Sequence, residues 1–139
     1  MNPAAIFWPM IAHVGLVCVI YVLLAYRRRI AVASGAVRPN HFRTRTEEPA
    51  VSAAVAANLL NQFELPVLFH AVCLALFVTN GVSFVTVVLA WLFVLARYLH
   101  ALVHVTSNDL RYRSPLFAAG FLILVILWFW FALHLLGAV

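Results

Sequence analysis

Charge is scarce in this chain of 139 residues. Only 9% of positions are Asp, Glu, Lys or Arg, the acidic residues number four, and lysine is absent, so every basic residue is an arginine. With 66% hydrophobic residues and a mean hydropathy of +1.05, that excludes an ordinary soluble domain and places the chain in the membrane class. Cysteine is nearly absent too. Cys18 and Cys73 each lie deep in an apolar run with no paired spacing, which excludes a disulfide framework and a cysteine-based zinc site and leaves them as small buried hydrophobes. There is no internal repeat and no low-complexity tract, so residues 1–139 read as a single membrane domain.

What is present is long apolar runs. A membrane helix needs about 20 apolar residues. Met1–Tyr26 and Ser114–Val139 carry no charge, Pro49–Thr79 carries only Glu64, and Gly81–Ser107 carries only Arg97. The expectation is an all-α integral membrane protein, a bundle of four transmembrane helices at about 4–26, 51–79, 83–107 and 114–137. "TNG" at 79–81 makes a tight turn, and 27–49, with a glycine and two prolines, makes the long loop. Asn108 and Asp109 read as a turn or N-cap before the fourth helix.

The arginines set an orientation. Arg27, Arg28, Arg29, Arg38, Arg43 and Arg45 fall in the first loop, and Arg111 and Arg113 in the third. The positive-inside rule places both basic loops in the cytoplasm and both termini outside. Trp8, Trp128 and Trp130 then lie near the outer ends. The first apolar run lacks a basic segment before it, so it reads as a span rather than a cleaved signal. The net charge of +5 is this topology and does not argue for nucleic acid.

Intramembrane ions are rare, face the bundle interior and usually pair. Glu64 is 15 residues from Thr79 and Arg97 is 14 from Ser83, so both lie roughly 21–23 Å from the outer turn. They are expected to pair, within one chain or across a subunit contact. Asn58, Asn61 and Glu64 share an arc of about 120° on the second helix, and Arg97, His100 and His104 an arc of about 60° on the third. With Arg113 and Ser114 at the start of the fourth, these groups form one polar patch in the cytoplasmic third of the membrane. Inter-helix glue is the plain reading of the pair alone; the whole constellation reads as a ligand site. His100 and His104 have metal-ligand spacing but no third ligand, so no metal site is expected. His13, His70 and His134 read as isolated core or interface histidines. An ion pathway through Glu64, Arg97 and the histidines lacks a polar continuation in the outer half.

The stretches "NQFELPVLF", "WLFVLARYLHALVHV" and "RSPLF" resemble the MAPEG family, the membrane-associated proteins of eicosanoid and glutathione metabolism, across essentially the whole chain. The resemblance implies a homotrimer binding glutathione, as co-substrate, in clefts between neighbouring subunits near the cytoplasmic face. It assigns Asn61, Glu64, Arg97, His100 and His104 to glutathione, and places Arg28 and Arg29 where relatives hold its carboxylates. Arg113, with Ser114, matches the position held to stabilise the thiolate, with Arg111 as the alternative. The implied reaction is conjugation of glutathione to a lipophilic electrophile, or reduction of a lipid hydroperoxide. Implied partners are further copies of the chain, membrane lipid and that electrophile. Leu60 and Ala57 stand where catalytic relatives often carry Arg, and His104 and Phe117 where they often carry Tyr. These departures point away from the eicosanoid synthases towards a bacterial-type member of an inner membrane, a source the absence of lysine also hints at. They keep open a non-catalytic scaffold or accessory subunit.

Overall fold

The structure, a computed structural model, describes residues 2–43 and 47–138. All its regular structure among these residues is helical. Four stretches are long and apolar enough to cross a membrane: Pro3–Ala33, Ala50–Val78, Phe84–Val105 and Leu110–Leu135. The expected all-α membrane bundle is the architecture observed.

A one-turn 3-10 helix, Pro3–Ile6, leads into α1, Phe7–Ala33. Asn2 caps it, its side-chain oxygen accepting from the Ala4 amide at 3.0 Å. The helix continues well past Tyr26, so Arg27, Arg28 and Arg29 are on its last turns rather than in a loop. Arginine is a good helix former, and nothing stops the helix before Ser34 and Gly35. Gly35 takes the left-handed conformation (φ +74°) that suits a residue just past a helix end. Arg45, counted above among the loop arginines, lies outside the described residues.

The second span is two helices, α2 (Ala50–Asn61) and α3 (Leu65–Val78), instead of one run. Pro66 explains the break. It has no amide hydrogen, and its ring cannot tolerate the carbonyl four residues earlier in a continuous helix. It sits in the first turn of α3, where a proline is tolerated, and Glu64 ahead of it leaves helical geometry (φ −96°, ψ −103°).

α4, Phe84–Val105, opens with a capping box in which Ser83 and Thr86 each bond the other's backbone amide. α5, Leu110–Leu135, opens on Asp109, whose carboxylate accepts from the Arg111 amide at 2.9 Å. It starts four residues before the expected 114, so Arg111 and Arg113 ride on the helix itself.

α4 is the most buried span and forms the centre of the bundle. In one half of the bundle, Phe69 stacks on Phe93 at 4.4 Å within a cluster that includes Ile6, Leu76 and Leu127. Leu16, Ile20, Leu24, Val55 and Ala101 fill the other half. α5 approaches α4 closely at Gly120, where an added Cβ would touch Ala96 and the Arg97 stem at 3.8–3.9 Å. Small residues at such crossings let membrane helices pack by van der Waals contact. The Tyr98 hydroxyl ties α4 to α1 by donating to the Ala12 carbonyl at 2.8 Å.

Candidate functional site

The helix break organises the site. Interrupting the helix after Asn61 leaves its carbonyl oxygen free, and Arg97 donates to it through Nη2 at 3.1 Å. The same nitrogen faces Gln62 Oε1 at 3.4 Å. Arg97 is 1% exposed, the largest fully buried side chain among the described residues, and its Nε and Nη1 have no hydrogen-bond partner among them. Glu64, by contrast, is exposed and forms no ion pair among the described residues. Within the chain, the expected Glu64–Arg97 ion pair is therefore not formed. Depth is matched, but the break turns Glu64 out of the helix ladder while Arg97 reaches backbone and amide oxygens behind it.

Glu64 opens instead onto a cleft of about 300 Å³ lined by Asn61, Glu64, His100, Arg113, Ser114 and Phe117. Five of the predicted site residues thus meet around one space, drawn from α2, the break, α4 and the start of α5. Arg97 lies within hydrogen-bonding reach of Asn61, a lining residue. His104 is one turn from His100 on the same face of α4, their rings 5.5 Å apart. Arg113 donates to Asn108 Oδ1 on the preceding turn, where Asn108 holds a positive φ of 52°. No carboxylate pairs with Arg113, since the only ion pair among the described residues is elsewhere.

A polar network that the sequence did not reveal lies behind this wall. Gln62 Nε2 donates to Asn58 Oδ1 at 3.0 Å, and Asn58 Nδ2 meets His104 Nδ1 at 3.2 Å. Gln62 Oε1 faces His13 Nε2 at 3.2 Å, and His13 Nδ1 faces His70 Nε2 at 3.2 Å. One arrangement of hydrogens satisfies every contact. Gln62 Oε1 can only accept, so neutral His13 carries its proton on Nε2. Its Nδ1 then accepts from His70 Nε2, and His104 Nδ1 accepts from Asn58. His13 and His70, read as isolated, are partners, and Gln62 is the hub. The available signal was the i, i+4 spacing of Asn58 and Gln62; the opposing histidines lie on other helices, whose rotation no spacing fixes. Because Asn58 already uses His104 Nδ1, the His100/His104 pair is not poised as a metal grip, and no group of three or more potential ligands occurs among the described residues.

Within one chain, Arg28 and Arg29 do not line this cleft. They line a separate groove of about 370 Å³ with Val32, Ala33, Pro39 and Phe42. Arg28 makes a bidentate pair with Glu48 (2.9 and 2.7 Å) and lies 5.0 Å from the Phe42 ring centre. Ser52 Oγ also donates to Glu48, at 2.7 Å. The Arg28 hydrogen bonds hold the Glu48 carboxyl below the usual carboxylate range.

Chemically, the cleft offers an unneutralised guanidinium, a hydroxyl, an amide and one free carboxylate. That set suits a ligand with both an ammonium and anionic groups, and a guanidinium beside a thiol favours the thiolate. Among curated proteins and among solved structures, nothing matches the chain. The model of the MAPEG family matches residues 5–133, nearly the whole length; the chain belongs to the MAPEG family, whose members are membrane four-helix bundles of eicosanoid and glutathione metabolism.

Proposed function

We propose that this protein is a membrane-bound glutathione transferase or peroxidase acting on lipophilic electrophiles. The observation that carries the reading is the convergence of Asn61, Glu64, His100, Arg113 and Ser114 on one cleft, in which Arg113 forms no ion pair among the described residues. In this reading Glu64 takes the ammonium end of glutathione, and Asn61 and His100 hydrogen-bond its peptide groups. Arg97 supports the Asn61 carbonyl from behind, and Asn58 and His104 fix the same wall.

A free thiol ionises near pH 8.5, and a neighbouring guanidinium lowers that value. Arg113 thereby makes the thiolate at neutral pH without a general base, and Ser114 donates a hydrogen bond to the sulfur. In conjugation the thiolate forms a carbon–sulfur bond and the leaving group departs with the electron pair. In the peroxidase branch it attacks the hydroperoxide, and the alkoxide released takes up a proton to become the alcohol. The sulfenic acid formed is reduced by a second glutathione, giving the disulfide and water. Apolar substrate reaches the cleft sideways from the bilayer. The basic face is cytoplasmic, the termini lie on the opposite side of a bacterial inner membrane, and the active unit is a homotrimer.

An ultraviolet difference titration of purified protein with glutathione at neutral pH tests this. A saturable thiolate absorbance is expected, lost in Arg113→Ala with the helical content unchanged. An Arg113→Ala protein that retains full activity overturns the assignment. A second reading, a non-catalytic member of the family, draws on Ala57 and Leu60, which are exposed and apolar where catalytic relatives often carry arginine. Absence of any thiolate signal in the folded wild type decides for it.

A further inference from the structure

The buried polar network has a direction, and one charge sets it. Gln62 is the branch point. Arg97 Nη2 faces its Oε1 at 3.4 Å, and a guanidinium nitrogen only donates. On the other side, Gln62 Nε2 lies 3.4 Å from the Asn58 backbone oxygen, which only accepts. The Gln62 amide therefore fits only one way round. Its Nε2 donates to Asn58 Oδ1 at 3.0 Å, which leaves Asn58 Nδ2 to donate to His104 Nδ1 at 3.2 Å. A ring nitrogen that accepts carries no proton, so neutral His104 holds its proton on Nε2.

Water does not stand in for any of these partners, because Arg97, Gln62, Asn58 and His104 are all at most 4% exposed. Neighbouring chains can only bury them further, so the order within the network does not depend on assembly. His104 Nε2 has no partner among the described residues and is not sealed away as His100 Nδ1 is. The His104 ring stands one turn from His100, a lining residue of the cleft, with ring centres 5.5 Å apart.

We propose that Gln62 is a positioning residue: clamped between Arg97 and the Asn58 carbonyl, it holds His104, through Asn58, as a fixed hydrogen-bond donor at the edge of the cleft. The donor reads an acceptor on the bound molecule, a carbonyl or carboxylate oxygen. His104 thereby serves neither as a base nor as a metal ligand, since each needs a lone pair on the free nitrogen. The identity of the bound molecule rests on the glutathione reading above; the direction of the network does not.

Nitrogen-15 NMR of the full chain in detergent at pH 7.5, labelled at histidine, shows which ring nitrogen carries the proton. The His104 signals are identified by their loss in His104→Gln. In wild type the proton is expected on Nε2. Gln62→Glu keeps the shape and, ionised beside Arg97, offers only acceptors. Asn58 then turns its Nδ2 to the new carboxylate and its Oδ1 to His104, and a proton is expected on Nδ1. Gln62→Met adds no charge and frees Asn58 to point either way, so both tautomers are expected. A calorimetric titration with glutathione is expected to be about fivefold weaker in Gln62→Glu, the scale of one hydrogen bond. A wild-type proton on Nδ1, or a His104 proton that stays on Nε2 in the Gln62 variants, overturns the proposal, because a side chain that merely packs would leave that proton where it is. Glutathione binding equal to wild type in a Gln62→Glu protein whose proton has moved overturns the donor's role. A wild type with its proton on Nε2 that binds no glutathione upholds the direction of the network and overturns only the choice of ligand. Gln62→Met keeps the test decisive even if Gln62→Glu fails to fold.

Discussion

At the scale of single residues, Gln62 carries more of the site than any group with a formal charge. It is 2% exposed, and its amide touches His13, Asn58 and Arg97 at once. Gln62→Leu keeps roughly the volume and removes every one of those bonds, leaving donors on His13 and Arg97 and an acceptor on Asn58 unmatched. An orphaned buried polar group costs about 1–3 kcal/mol, although bonds between membrane helices average less. The expected loss is about 2–4 kcal/mol, read as a lower midpoint in denaturing-detergent titration. A midpoint equal to wild type would mean that the network holds nothing together. Sequence pointed to the neighbourhood but not to this residue. Asn61, Glu64 and His100 stood out because each is polar in an apolar run at a matched depth, and Arg113 and Ser114 because they open the fourth helix at the same end of the bundle. Gln62 was not, because its role depends on which way α1 and α4 are turned. Glu64 and Arg97 make the same point from the other side: equal depth, correctly counted, brought no ion pair within the chain once the backbone broke at Glu64.

At the scale of elements, the spans were readable from hydropathy alone and their ends were not. Hydropathy reports where a chain is apolar. It is silent about arginines that extend α1 beyond the core, about Asp109 starting α5 early, and about Pro66 splitting the second span. The proline was visible, but a proline in a membrane helix kinks, breaks or is absorbed according to what satisfies the freed carbonyls; here Arg97 satisfies one. The turn at the opposite face shows a tighter constraint. An added Cβ on Gly81 would lie 2.6 Å from His134 Cδ2 and 2.8 Å from Nε2, and that Nε2 donates to the Thr79 carbonyl at 3.1 Å. The His134 ring thus fastens the end of α5 onto the turn between α3 and α4. Gly81→Ala must move the ring and break that bond, an expected cost of about 1–3 kcal/mol in thermal unfolding. In a His134→Ala background the same glycine change should cost much less, because neither ring nor bond remains. Equal costs in the two backgrounds would show that the steric conflict is not the cause.

At the scale of the whole molecule, the chain leaves much apolar surface uncovered, with Trp8, Val22, Phe84, Leu102 and Phe129 all at least 60% exposed. Lipid covers such surface in a membrane, so the exposure alone does not count subunits. The proposed homotrimer makes a sharper prediction when combined with the geometry of the cleft. Glu64 and Arg113 line one space within a single chain. Co-expressing Glu64→Ala and Arg113→Ala chains therefore yields mixed assemblies in which no cleft has both groups, and thiolate formation should stay at the level of the single variants. Native mass spectrometry of the same sample should show three copies of the 15.5 kDa chain, with mixed species present. Recovery of thiolate signal in the mixture would mean that the carboxylate and the guanidinium serving one glutathione come from different subunits. A monomer that forms thiolate at full strength would remove the trimer from the mechanism altogether. Mixed trimers without activity would locate the thiol-activating unit inside one chain and leave to the neighbour only the task of closing the cleft's open side.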